Sequence, residues 1–121
     1  MTEIQKPKQY DLEDRTFKFA KGIRQLIKVL PKTINNFEDG KQVIRSSGSV
    51  AANYIEANEA LSKKDFIMRI KICRKEAKES RLWLNLLNVI SDHKEEKEII
   101  YLVKEATELM NIFGSIIRKS E

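Results

Sequence analysis

The stretch Val43–Leu61, VIRSSGSVAANYIEANEAL, decides the fold, because it has a helical period yet offers no long charged face to water. Its only full charges are Arg45, Glu56 and Glu59. Steps of three and four residues trace one line through Ile44, Ser47, Ala51, Tyr54, Asn58 and Leu61, and Val43, Val50 and Ala57 make a second line beside it. A helix that is apolar or small on two sides is covered on two sides. Other helices of the chain supply one cover, and in a chain this short the second is most economically another copy. Val43, Val50, Tyr54 and Ala57 are therefore expected at a contact between copies.

Working outward, Met1–Tyr10 is polar, carries Pro7 and is expected to be an extended or mobile lead-in. Asp11 with Asp14 reads as the capping pair of a helix over about 12–30, with Leu12, Phe19, Ile23, Leu26, Ile27 and Leu30 on one side and Pro31 as its stop. Asn36 with Asp39 offers the next pair and starts the central helix, about 38–61. Ser62 with Asp65 opens a third over about 63–90, whose inward line is Phe66, Ile70, Cys73, Ala77, Ser80, Leu84 and Leu87. Asp92 opens the last, about 93–119, with the line Ile99, Val103, Ala106, Met110, Phe113 and Ile117. Four helices with short connections imply an all-α, antiparallel up-down-up-down four-helix bundle in one domain, residues 11–121.

The 121 residues are 41% hydrophobic and 34% charged, with four Gly and two Pro, which suits a helical domain with a modest core. No apolar run is long enough to cross a membrane, and MTEIQKPKQY lacks the apolar core of a signal peptide, so a cytoplasmic protein is expected. The single Cys73 falls on its helix's inward line and reads as a small buried hydrophobe.

Charge is uneven. From Lys63 to Arg81 there are eight cations (Lys63, Lys64, Arg69, Lys71, Arg74, Lys75, Lys78, Arg81) against three anions (Asp65, Glu76, Glu79), a net of +5 that equals the formal excess of the whole chain. Lys71, Arg74, Lys78 and Arg81 recur at helical spacing on one face. Such a stripe follows phosphates of RNA or DNA; otherwise it is a solvated face that meets acids on a neighbouring helix or protein.

Catalytic sets are absent from the pattern. With one histidine, His93, the chain cannot supply the paired Glu-x-x-His ligands of a di-iron bundle or the usual Cys/His sets for zinc, and its dispersed glycines form no phosphate loop. No metal, cofactor or enzymatic activity is expected. One polar set stands out: Arg45, Ser49, Asn53 and Glu56 lie at steps of four, four and three, expected to be buried and bonded to one another, to Arg74 or Glu79, or across a subunit boundary.

At these residues the chain resembles the four-helix-bundle proteins encoded in intervening sequences of bacterial large-subunit ribosomal RNA genes. The likeness runs from Tyr10-Asp11-Leu12 and Phe17–Ala20 through Leu30-Pro31-Lys32 and Arg45–Ala57 to Asp65-Phe66 and Ile72-Cys73-Arg74. Ala51, Ala57-Asn58 and Lys75-Glu76 depart from the family's pattern. The resemblance implies a left-handed bundle, assembly into a homopentameric ring and no known enzymatic activity. The chain is also similar to the accessory protein of diversity-generating retroelements, a basic pentameric barrel that binds nucleic acid, which favours the same role by analogy of fold. The expectation is a non-enzymatic oligomer that binds RNA or DNA through a basic face with little sequence specificity. The alternative is a structural or protein-interaction oligomer.

Overall fold

Each apolar line becomes a helix, and the boundaries follow from where backbone groups find partners. The computed structural model describes residues 8–89 and 93–121. It has four helices, α1 (Lys8–Val29), α2 (Ile34–Asn58), α3 (Lys63–Leu86) and α4 (His93–Ser120), and no strand among the described residues. Helix α1 begins at Lys8, so Lys8–Tyr10 are helical and not extended, and Asp11 lies inside the helix and not at its cap. Residues 1–7 and the expected cap Asp92 lie outside the described residues.

Helix α2 is capped by Thr33, three residues ahead of the expected Asn36. Thr33 has extended backbone and its Oγ1 accepts from the Asn36 N–H at 3.0 Å. The Asn36 side chain is committed elsewhere. It is buried, its Nδ2 donates to the carbonyls of Pro31 (3.0 Å) and Asn88 (2.9 Å), and its Oδ1 accepts from the Asn88 N–H at 2.8 Å. That bond captures the N–H that would have continued α3, which is why α3 stops at Leu86 and not near Ile90. Helix α2 ends at Asn58 and not Leu61, because the Glu59 and Ala60 N–H groups turn back to Glu56 and Ala57 in a tightened last turn. The Ser62 cap of α3 is as expected, accepting from the Asp65 N–H at 3.0 Å.

Helix α1 packs on α2 and α4, and α3 packs on α2 and α4. Residue numbers rise on one helix as they fall on its neighbour. Asn36, Ser46, Val50 and Asn53 of α2 meet Asn88, Ser80, Cys73 and Arg69 in turn, Arg81 and Lys71 of α3 meet Thr107 and Glu121, and Arg24 and Ile27 of α1 meet Ile44 and Gly40.

The core forms from Phe19, Ile23, Val43, Val50, Tyr54, Ile70, Leu84, Leu102, Leu109 and Phe113, with the Tyr54 and Phe113 rings 6.2 Å apart. Burying each large side chain contributes about 1.5–3 kcal/mol. On α4 the innermost line is Leu102, Ala106, Leu109, Phe113 and Ile117, while Ile99, Val103 and Met110 of the expected line lie half-buried beside it. Buried hydroxyls are satisfied locally: Thr16 donates to the Leu12 carbonyl at 2.8 Å, and Ser46 and Ser80 share a hydrogen bond of 2.7 Å across α2 and α3.

The two lines of the central stretch fare differently. Val43, Val50 and Ala57 are sealed in the protomer's own core, as is Tyr54, so none of these four is available to a second copy. Asn58, the last residue of α2, is exposed, and so is Leu61, which lies beyond the helix end.

Candidate nucleic-acid interface

Lys71, Arg74, Lys78 and Arg81, at steps of three, four and three, lie on the flank of α3 that meets α4. Lys71, Arg74 and Lys78 are exposed and Arg81 is half-buried. Arg81 Nη1 donates to Thr107 Oγ1 at 3.2 Å, and Thr107 in turn donates to the Val103 carbonyl. Lys71 Nζ lies 3.5 Å from the Glu121 carboxylate, an exposed pair that contributes little. Between these ends Arg74 crosses Gly114 of α4. A methyl group built at Gly114 would sit 3.9 Å from Arg74 Cδ and Nη1 and 3.4 Å from Arg118 Nη1. Two guanidinium groups thus converge over one glycine, and neither has an ion-pair partner among the described residues.

Lys63 and Lys64 extend this seam. With Lys71, Ser120 and Glu121 they line a groove of about 870 Å³ where α3 begins and α4 ends. Lys75 is exposed but points along the outer side of α3, away from the seam by its helical position. Over the ten residue steps from Lys71 to Arg81 the flank spans about 15 Å, the reach of about four phosphates along one strand. Trp83 is packed against the core and Tyr54 is buried, so neither offers a ring to a base here.

The polar line is only partly wired as expected. Asn53 Nδ2 donates to the Ser49 carbonyl and Oγ, both at 3.0 Å, and Asn53 Oδ1 accepts from Arg69 Nη1 at 3.0 Å. The arginine that joins the line is thus Arg69, not Arg74, because Arg74 lies on the opposite flank of α3. Arg69 Nε is buried without a partner. Arg45 and Glu56 are exposed in the protomer and not buried, and Glu79 is exposed as well. Glu76 is the acid that feels Arg45; its carboxyl is pushed up from the ordinary value by burial and then by the charge of Glu79, against the smaller pull of Lys75 and Arg45.

Among the described residues no three His, Cys, Asp or Glu side chains are grouped to hold a metal. The Cys73 thiol is buried, 3.6 Å from the Val50 carbonyl, and burial pushes its pKa up to about 12. Among the described residues no helix is long and apolar enough to cross a membrane.

Three features escape the sequence-based expectations. Arg118 joins the seam from 44 residues away. From Arg15 to Phe37 every charged residue is a cation, and the steps Phe17, Lys21, Arg24, Lys28 put three of them on the flank of α1 next to α2. Helix α3 carries a second apolar line on its outer side, Met68, Ile72, Leu82 and Leu86, interrupted at the same spacing by Lys75 and Glu79.

Four helices with a cationic α3–α4 seam define a small all-α protein. The chain belongs to the 23S rRNA-intervening sequence protein family, whose model matches residues 8–115. It is similar to a crystal structure of a protein of unknown function from the S23 ribosomal protein family of Bacteroides thetaiotaomicron, with a TM-score of 0.78 and 34% identity, covering 93% of this chain and 99% of that one. No curated protein matches it.

Proposed function

We propose that this is a non-enzymatic, cytoplasmic protein: an antiparallel, left-handed four-helix bundle that assembles into a ring-like homo-oligomer and binds RNA or DNA through the α3–α4 seam. The observation that carries the binding reading is the convergence of Arg74 and Arg118 over Gly114, in line with Lys71, Lys78 and Arg81. Like charges held together without a countercharge repel, and a phosphate between them relieves that repulsion. Backbone contact without base readout gives affinity largely independent of sequence. A ring repeating the seam would present a cationic belt, and a homopentamer is the ring that the family resemblance implies.

The test is a fluorescence anisotropy titration with labelled RNA and DNA duplexes at several salt concentrations. Four or five phosphates neutralised per protomer correspond to a log-log salt slope of roughly 3.5 to 4.5 on a duplex. Lys71→Glu with Lys78→Glu abolishes binding at low salt while leaving the oligomer intact. No binding by the unaltered protein, or unchanged binding by the double variant, would transfer the case to a protein-interaction oligomer with no nucleic-acid role.

A further inference from the structure

We propose that the groove between α1 and α2 is a docking site for an acidic amphipathic helix of another protein. The groove lies away from the α3–α4 seam, so the inference stands whether or not that seam binds nucleic acid.

The floor of the groove is apolar. Ile27 and Pro31 meet Ile34, Phe37 and Ile44 around a depression of about 700 Å³. Gly40 lets the two helices close beneath it, since a methyl group there would stand 3.3 Å from Ile27. Ile34 nevertheless remains 82% and Phe37 64% exposed. Lone exposed apolar residues are ordinary on a protein surface, whereas two bulky ones beside one concave apolar bed mark a place where something docks.

The border of the groove is cationic. From Arg15 to Phe37 the charged residues are Arg15, Lys18, Lys21, Arg24, Lys28 and Lys32, with no acid among them. Arg15 pairs with Glu105 and Glu108, and Lys18 with Asp14. The other four form no ion pair among the described residues. The one acid that lines the groove, Glu38, is matched by Lys41 at 3.8 Å. Arg24 is fixed at the end beside Ile44, donating to the Ala20 and Ile44 carbonyls at 2.9 and 3.2 Å, and Gly48 leaves room for its guanidinium.

Apolar floor and cationic border together select the occupant. A nucleic-acid backbone would answer the cations but set phosphates against Ile27 and Ile34, and the Lys41 ammonium, 4.8 Å from the centre of the Phe37 ring, already covers one face that a base would need. A second copy of this chain matches poorly. Met68 and Leu82, exposed on α3, lie within or next to the segment Lys63–Arg81 of net charge +5, which the border repels. On α4 the exposed Ile100 and Tyr101 are adjacent, about 100° apart round the helix, and make no row. A helix with bulky apolar residues at steps of three and four, flanked by Asp or Glu, meets both demands. From Ile34 to Ile44 the bed is about 15 Å long, close to three turns of such a helix. Its carboxylates then face Lys21, Arg24 and Lys28, at steps of three and four along α1, and Lys32 just beyond the helix end.

The test is a selection followed by a titration. A displayed library of helical peptides of about 14 residues, roughly four turns, is selected on the unaltered full chain and counter-selected on Phe37→Asp. Peptides whose capture depends on Phe37 are expected to be acidic, with large apolar residues at steps of three and four. A labelled synthetic peptide of the enriched sequence, followed by fluorescence anisotropy, binds the unaltered protein and loses affinity by about tenfold or more to Ile34→Asp and to Lys28→Glu with Lys32→Glu. The carboxylate of Ile34→Asp suits the first turn of α2, so loss there reports the contact and not the fold, and circular dichroism checks that each variant stays helical. No enrichment that depends on Phe37, or enrichment of neutral or basic peptides, overturns the proposal. So does a groove variant that lowers the mass seen by light scattering, which gives the groove to a second copy. Loss of RNA binding, or of binding to phosphatidylglycerol vesicles, by Phe37→Asp overturns it in favour of nucleic acid or lipid. Peptide binding by Lys71→Glu with Lys78→Glu is expected to be unchanged, so failure of the groove and failure of the phosphate seam remain distinguishable.

Discussion

Replacing Asn36 by alanine removes the clamp that joins three parts of the chain. Three side-chain hydrogen bonds are lost, from Nδ2 to the carbonyls of Pro31 and Asn88 and from the Asn88 N–H to Oδ1. At about 1 kcal/mol net for each bond, with part of the cost relieved where water reaches exposed Asn88, the expected loss is roughly 2–4 kcal/mol. The helix cap is spared, because Thr33 accepts from the backbone N–H of residue 36 and not from its side chain. For a domain of this size each kcal/mol lowers Tm by about 3–6 °C, so a fall of roughly 6–24 °C in a thermal melt followed at 222 nm is predicted. Asn36→Asp sharpens the test. It keeps the acceptor for the Asn88 N–H but sets a carboxylate against two carbonyl oxygens, and it should cost at least as much as alanine. Urea unfolding that placed Asn36→Ala within 0.5 kcal/mol of the unaltered protein, or Asn36→Asp above Asn36→Ala, would refute the clamp.

Ser80→Ala is expected to cost about 1 kcal/mol, and Ser46→Ala/Ser80→Ala no more than that, since removing both hydroxyls leaves neither unpaired; a double-mutant cycle by urea unfolding reads the difference. Gly114→Ala is expected to raise stability by about 0.5–1 kcal/mol through helix propensity, because the added methyl meets only ordinary contacts at 3.4 and 3.9 Å, and to leave the salt slope of RNA binding unchanged. Cys73 is expected to resist a thiol reagent in the folded protein at pH 8 and to react fully in denaturant. Because its folded pKa is raised to about 12, the neutral thiol's contribution to stability is complete below the ordinary thiol value and is lost as pH rises from there through about 12.

Much of the fold is legible in the sequence because the four apolar lines are long and the breakers are sharp. Pro31 stops α1 and Ser62 caps α3 at the residues where those types act most strongly. Boundaries set by tertiary contact are not legible. Asn36 has the composition of a cap, and only the fold brings Asn88 beside it, 52 residues away, to claim its side chain and end α3 early. Arg118 is hidden in the same way, as its place in the seam depends on Gly114 meeting Arg74 across two helices.

The harder limit concerns which partner covers a face. Periodicity says that a helix has an apolar side, and the central stretch has two, but the same period serves a core and an interface. In α2 the most apolar line, Val43, Val50 and Ala57 with Tyr54, is entirely core. In α3 the inner line through Ile70, Cys73, Ala77, Ser80 and Leu84 carries no charge, while the outer one carries Lys75 and Glu79 at two of six positions. Charges at two of six positions leave the outer line compatible with a solvated face. Counted residue by residue they weaken the apolar signal, and the cations at 71, 74, 78 and 81 on the adjoining flank mask it further. The outer line becomes visible once the inner line is known to be satisfied by α2 and α4, because what remains exposed on α3 then has a period of its own.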